Sequence, residues 1–309
     1  MPTSSYKIEY IKCFEDFSRI HAKKGVGTYW FRGHENKDYQ LVPSIYRKTP
    51  TLCSVNKCEE RLRTHFIART LHMMGNQRPI NDMEWLSVMQ HYRLATRLLD
   101  WTERAEVAFL FAVEKYFMHE KHNRDILPCV WVLKPLGLNG YYELDHIPNL
   151  STMCSSRWLN EDKRKDTLKL IDERYFSGLT GCKDYYPPVA VFHPLNNERI
   201  RAQSGVFTLF PLYKNDDNVC NHPKSPCKDV LKIDGVNKVY DGAMEKLDRC
   251  KEFLTKYIIV NPEHMYRDLI SMGIKRSVIY PEMDVFSTEI EDFELGNIKY
   301  PVVSTDYFQ

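Results

Sequence analysis

The residues best suited to chemistry lie in one polar stretch, from Gln90 to Thr102, that separates two apolar segments. The stretch contains His91, Arg97 and Asp100, and a chain that needed only a hydrophobic core would not place such side chains there. It therefore predicts either an internal polar network or the lining of a ligand site. Upstream, the motif Phe31-Arg32-Gly33 puts a guanidinium at the end of a predicted strand.

Arg32 is open to two interpretations. Its planar fork of donors suits a phosphate or a ribose, and the following Gly33 would let a ligand approach the backbone closely. Alternatively it forms a structural ion pair with Asp100, because a buried guanidinium is rarely left unpaired. His91 is either a cation that stabilises a helix C-terminus or an acid or base in contact with a ligand. Asp100 and Glu103 have the spacing of a capping box for the next helix.

Helices and strands must position this polar stretch. Hydrophobic spacing predicts strands over 28–32, 129–133, 189–192, 206–210, 257–260 and 277–280. It predicts helices over 13–20, 56–71, 105–113, 167–175, 243–255 and 262–272. Two more helices are predicted, one from 82 to the polar stretch and one after Pro281. The two kinds of element interleave irregularly, which favours an α+β fold with a mixed central sheet and flanking helices. We expect one domain over 1–309, with a core over about 28–213 and a C-terminal extension of helices and a strand over about 240–309.

Composition excludes several classes of protein. Lys plus Arg is 43 and Asp plus Glu is 41, so a net charge of +2 gives no general attraction to nucleic acid or membrane. Nine cysteines and no visible secretory signal predict reduced thiols in the cytoplasm. Cys220, His222 and Cys227 could contribute to a zinc site, but no matching second pair stands nearby, so we expect a polar surface loop and no metal.

The motif Phe31-Arg32-Gly33, the run from Pro43 to Arg47 and the stretch from Gln90 to Thr102 resemble the FRG domain family. The resemblance covers roughly 28–133 and extends weakly to 201–207. Family members usually have Gly and Pro where this chain has Arg93 and Ala95, which predicts a pocket loop of altered shape. Members are associated with bacterial and phage proteins, so the resemblance implies a role in defence or conflict.

A more distant similarity is to the motif order of ADP-ribosyltransferases. Arg32 stands on the first strand, 96–102 stands in place of a Ser-Thr-Ser strand, a small-residue helix follows at 107–112, and Gln203 precedes a late strand. This similarity implies an ADP-ribosyltransferase-like sheet and NAD as a substrate. The implied cofactor-binding residues are Arg32, Gly33, Thr96, Arg97 and Thr102, and the implied catalytic residues are Arg32, His91, Asp100 and Gln203.

Gln203 departs from that pattern, because a carboxylate is expected at its position. Cleavage of the glycosidic bond builds positive charge on the ribose, which a carboxylate stabilises and a carboxamide does not. Asp100 or Glu106 could compensate. Two functions therefore stay open. One is ADP-ribosyl transfer or NAD hydrolysis, and the other is non-catalytic recognition of a nucleotide, a nucleic acid or a partner protein, in neither case at a membrane.

Overall fold

A seven-stranded mixed sheet forms the centre of the protein in the computed structural model, which describes residues 6–23, 28–48, 55–75, 78–79, 81–118, 126–149, 187–193, 198–210, 244–247 and 249–295. The strands are β1 Lys7–Ile11, β2 Trp30–His34, β3 Leu98–Thr102, β4 Cys129–Leu133, β5 Val189–Val191, β6 Gly205–Leu209 and β7 Leu254–Ile259. Their spatial order is β1-β7-β4-β2-β3-β6-β5. Only β1 and β7 pair in parallel, and the other neighbours are antiparallel.

Helices cover both faces of this sheet. In the described ranges they are α1 Phe14–Ala22, α2 Ser44–Lys48, α3 Val55–Thr70, α4 Asp82–His91, α5 Ala105–Met118, α6 Pro135–Asn139, α7 Glu198–Gln203, α8 Cys250–Phe253, α9 Pro262–Ser271, α10 Arg276–Ile279 and α11 Met283–Glu294. One core cluster joins α1, α5 and α9 to the sheet, and another joins α2, α3, α6 and α8 to the opposite face. The α+β class, with a mixed sheet and flanking helices, is confirmed.

The central strand β4 shows why two helical layers are needed. All five of its residues are buried, because alternate side chains enter different clusters. Val130 and Val132 pack with α5, whereas Cys129, Trp131 and Leu133 pack with the opposite layer. Such continuous burial reads in the sequence as an uninterrupted apolar run.

Three local predictions are wrong. The helix over 243–255 is interrupted because Arg249 has a left-handed φ of 59°, and strand β7 begins at Leu254. The strand over 277–280 is instead helix α10, whose short β-branched run is no longer than one helical turn. Asp100 does not cap α5, because strand β3 continues to Thr102, whose hydroxyl accepts from the backbone N–H of Arg104 at 3.0 Å.

One strand was not predicted, and two predicted features lie outside the described residues. The edge strand β1 was not predicted, since its charged, largely exposed pattern carries little apolar signal. The helix over 167–175 lies outside the described residues, and so do Cys220, His222 and Cys227.

A very close contact between a helix and the sheet lies at Gly33 on β2. A Cβ placed there would lie 2.0 Å from the carbonyl oxygen of Ala108 and 2.7 Å from the backbone nitrogen of Ala112, both on α5. Real carbon and oxygen atoms do not approach so closely, and both neighbours are backbone atoms that cannot rotate away. Glycine at this position therefore lets α5 press directly onto β2.

We expect Gly33→Ala to lower the free energy of unfolding by about 3 kcal/mol or more, because overpacking would push the helix off the strand. Gly140→Ala is the matched control, since a Cβ there meets nothing within 4 Å and its φ is −59°. It should change stability by at most about 0.5 kcal/mol. Urea denaturation measures both, and equal midpoints for the two variants would refute the close-packing account.

Candidate functional site

A cleft opens where strands β2 and β3 diverge. These strands share one residue pair, Phe31 with Thr102, whereas β2 pairs with β4 along its full length. Beyond that pair the Arg32 side chain links the two strands, because its Nη1 donates to the Asp100 carbonyl oxygen at 2.7 Å. The resulting cleft has a volume of about 510 Å³.

Two of the three guanidinium nitrogens of Arg32 form hydrogen bonds with described residues. Its Nε donates to Nε2 of His34 at 2.9 Å, and its Nη1 lies 3.8 Å from Oδ2 of Asp100. Nη2 has no hydrogen bond to any described residue, and the side chain is 19% exposed. Burial lowers the pKa of Arg32 to about 10 against the opposing effect of Asp100, so the guanidinium stays charged at neutral pH.

His34 holds Arg32 as a neutral imidazole. Burial lowers its pKa well below the usual value, and the neighbouring charge of Arg32 lowers it further. Because the ring is neutral, Nε2 can accept the hydrogen bond from Nε of Arg32. The guanidinium is thus oriented by one ring acceptor and one carbonyl oxygen.

Asp100 is held by a series of hydrogen bonds within the polar stretch. Nε2 of Gln90 donates to both carboxylate oxygens, at 3.0 and 2.9 Å. The hydroxyl of Thr96 donates to Oε1 of Gln90 and accepts from the backbone N–H of Leu98 at 3.2 Å. The Asp100 side chain is still 54% exposed and lines the cleft. The polar stretch therefore forms an internal network and also lines a site.

The structure brings together most of the residues predicted for the site. Those that line the cleft are Arg32, Gly33, His91, Asp100, Thr102 and Gln203. The hydroxyl of Thr102 is already committed, because it donates to the Gln203 carbonyl oxygen at 2.6 Å. Nε2 of Gln203 donates to the Ile279 carbonyl oxygen at 3.3 Å. Burial lowers the pKa of His91, and the charge of Arg199 adds to that effect.

Two predicted residues lie elsewhere. Thr96 is fully buried and contacts the cleft lining through its hydrogen bonds to Gln90 and Ser44. Arg97 is 2% exposed, with its Nε 3.0 Å from Oε2 of Glu59 and its backbone N–H donating to Oε1. Burial raises the pKa of Glu59 and Arg97 opposes that rise, so this pair belongs to the interior rather than to a ligand.

Several cleft residues were not among the predicted site residues, although Arg93 lies within the predicted polar stretch. They are Arg47, Lys48, Arg93, Phe111, Glu114, Arg199 and Tyr280. Glu114 is a buried carboxylate on α5 that accepts from the Tyr280 hydroxyl at 3.3 Å. Glu106, the alternative carboxylate, does not line the cleft and is bonded by Arg104 at 2.6 Å.

Comparison with known families bears on this cleft. Residues 27–121 match the FRG domain. The predicted resemblance is confirmed over that segment, which contains β2, β3 and all of α5, and so supplies Arg32, His91 and Asp100. Gln203 and Tyr280 lie beyond the FRG segment, which means that the rest of the chain completes the cleft. No curated protein and no solved structure matches the chain.

The described ranges contain neither a metal-binding cluster nor a membrane-spanning helix. There, no three or more His, Cys, Asp and Glu side chains group in a way that could hold a metal ion. In the same ranges every helix is too short or too polar to cross a bilayer.

The buried pair of Arg97 and Glu59 gives a direct test of the interior role of Arg97. Arg97→Met should lower the free energy of unfolding by about 3–5 kcal/mol, because it leaves a buried carboxylate without its partner. Adding Glu59→Gln removes that charge and keeps an acceptor for the backbone N–H, so the double variant should regain most of the loss. Urea denaturation of the single and double variants measures the coupling. A stable Arg97→Met protein would place Arg97 outside the core network.

Proposed function

We propose that the cleft binds a nucleotide of the NAD type and holds its phosphate groups on Arg32. The observation that carries this proposal is that Nη2 of Arg32 bonds no described residue, whereas Nε and Nη1 are held by His34 and by the Asp100 carbonyl oxygen. A donor oriented in advance loses little entropy when an anion arrives, so its hydrogen bond contributes more to affinity. The volume of about 510 Å³ also falls within the roughly 300–1,000 Å³ of ordinary ligand pockets.

The charge and the aromatic lining support the same ligand class. Arg47, Lys48 and Arg93 line the cleft, and no described residue forms an ion pair with any of them. Positive charge of this kind attracts phosphate oxygens. Phe111 and Tyr280, whose ring centroids are 5.8 Å apart, offer partly buried ring surfaces to a base.

Bond cleavage in such a ligand would depend on Asp100. Nicotinamide leaves C1′ of the ribose with the bonding electron pair, and water or an acceptor group then adds to the same carbon and releases a proton to solvent. Asp100 supplies a cleft carboxylate that can stabilise the positive charge on the ribose. Gln203 cannot supply that charge, and its amide nitrogen is engaged with the Ile279 carbonyl oxygen. We therefore assign Asp100 the electrostatic role and Gln203 a positioning role, and infer an ADP-ribosyltransferase-like sheet from the motif order.

A non-catalytic recognition module is the second candidate. The observation in its favour is that both Asp100 oxygens already accept from Gln90 and that Arg32 lies close by. A carboxylate satisfied in this way stabilises a new cation less well. In this case the cleft would bind a nucleotide, a nucleic acid or a partner protein without turnover. A defence role and a cytoplasmic location stay predictions for both candidates.

Calorimetry with NAD tests the proposed binding. The wild-type protein should bind, and ligand at about a hundredfold over its dissociation constant should stabilise the fold by about 2.7 kcal/mol. Arg32→Lys should weaken binding at least about tenfold, because the one nitrogen of lysine cannot reach His34 and the Asp100 carbonyl oxygen and also point a donor into the cleft, as three separate guanidinium nitrogens can. Arg19→Lys, an exposed change on α1, is the control and should bind as wild type does. An absence of binding by folded wild-type protein would reject the proposal.

Release of nicotinamide separates the two candidates. With NAD bound, the wild type should release nicotinamide and Asp100→Asn should retain binding while losing turnover, because the carboxamide keeps the shape and lacks the charge. Chromatography of the reaction measures the product. Binding with no release by wild type at high enzyme concentration would instead identify a recognition module.

A further inference from the structure

Arg93 occupies a backbone position that favours glycine. Its φ is 63°, in the left-handed region, immediately after helix α4. Its N–H donates to the Gln90 carbonyl oxygen at 2.9 Å, and the N–H of Leu94 donates to the Met89 carbonyl oxygen at 3.0 Å. This pair of bonds is a Schellman motif, in which glycine is the usual residue because a Cβ is crowded there. The chain thus keeps an arginine where its backbone is strained.

The Arg93 side chain faces the cleft without an ionic partner. It is exposed, lines the cleft and forms no ion pair with any described residue. Arg47 and Lys48, which end helix α2, share all three properties. Arg199 differs, because it lies 3.7 Å from Glu282 and its guanidinium stacks 4.7 Å from the Tyr280 ring centroid. Among the described residues, three cations without ion pairs therefore line the cleft in addition to Arg32.

The positive charge of these three cations exceeds the negative charge of the pyrophosphate in a simple dinucleotide. A pyrophosphate diester carries two negative charges, whereas a phosphate monoester adds roughly one and a half to two more at neutral pH. Burial is the main cause that lowers the pKa of Arg32, and the positive charge of Arg47 lowers it further, as expected for two cations that repel each other across the cleft. A ligand with more negative charge would relieve that repulsion.

We propose that Arg47, Lys48 and Arg93 form a second anion subsite that binds a phosphate monoester in addition to the pyrophosphate. The cleft would then prefer a 2′-phosphorylated nicotinamide dinucleotide, NADP, to NAD. This inference rests on the proposed function, because it assumes that the pyrophosphate is held at Arg32. Binding of this phosphate would explain why arginine stands at a backbone position, with a φ of 63°, that favours glycine.

Arg93→Gly tests the subsite with opposite effects on folding and on binding. Glycine relieves the backbone, so the thermal midpoint of the ligand-free variant should equal or exceed that of wild type. Calorimetry should show wild type binding NADP about tenfold more tightly than NAD, and the variant losing most of that preference because its affinity for NADP falls more than its affinity for NAD. The wild-type preference should also shrink as salt rises, because exposed charges are screened.

Arg249→Gly is the matched control. Arg249 also has a left-handed φ, of 59°, but it pairs with Glu252 at 2.6 Å and does not line the cleft. The control should leave the preference for NADP unchanged. The double variant Arg47→Ala/Lys48→Ala should reduce it further than Arg93→Gly does.

Two results would overturn the inference. Equal wild-type affinity for NAD and NADP would remove the second subsite and leave the proposed function standing. An unchanged preference in both Arg93→Gly and the Arg47→Ala/Lys48→Ala variant would show that these cations do not hold the extra phosphate. Binding of neither dinucleotide is a different outcome, because it would reject the proposed function together with the subsite.

Discussion

The contact between helix α5 and strand β2 at Gly33 is the constraint on which the rest of the structure depends. It leaves no room for a side chain between strand and helix, and so fixes the strand against the backbone at Ala108 and Ala112. Because side chains alternate along a strand, Phe31 then packs with α5 while Arg32 points to the side of His34. The three residues of the motif therefore serve the core, the cleft and the helix contact in turn.

The divergence of β3 from β2 opens the cleft into which Arg32 points. Where backbone pairing stops, Arg32 bonds the Asp100 carbonyl oxygen, and Gln90 with Thr96 behind it holds the Asp100 carboxylate. The polar network and the ligand site are therefore the same structure. A site on rigid elements with supporting hydrogen bonds is oriented before a ligand arrives, which is what binding of a charged group requires.

The sequence predicted what depends on neighbours in the chain. The buried run of β4, the small-residue helix α5 and the amphipathic helix α4 follow from spacing alone, and the pairing of Arg32 with Asp100 followed from the cost of a buried cation. The rest depends on distant partners. No spacing rule links Arg97 to Glu59 or Glu114 to Tyr280, which are 38 and 166 residues apart. The contact of Gly33 with α5 could not be predicted, because the position of that helix cannot be deduced from the sequence of one strand.

A crystal structure determined with saturating dinucleotide tests the central claim, that Arg32 is held in position to donate a hydrogen bond to an anion. We predict electron density for a phosphate group within hydrogen-bond distance of Nη2 of Arg32, with the bonds from Arg32 to His34 and to the Asp100 carbonyl oxygen unchanged. A dinucleotide bound elsewhere while the cleft holds only water would contradict the account, as would a ligand that breaks those two anchoring bonds.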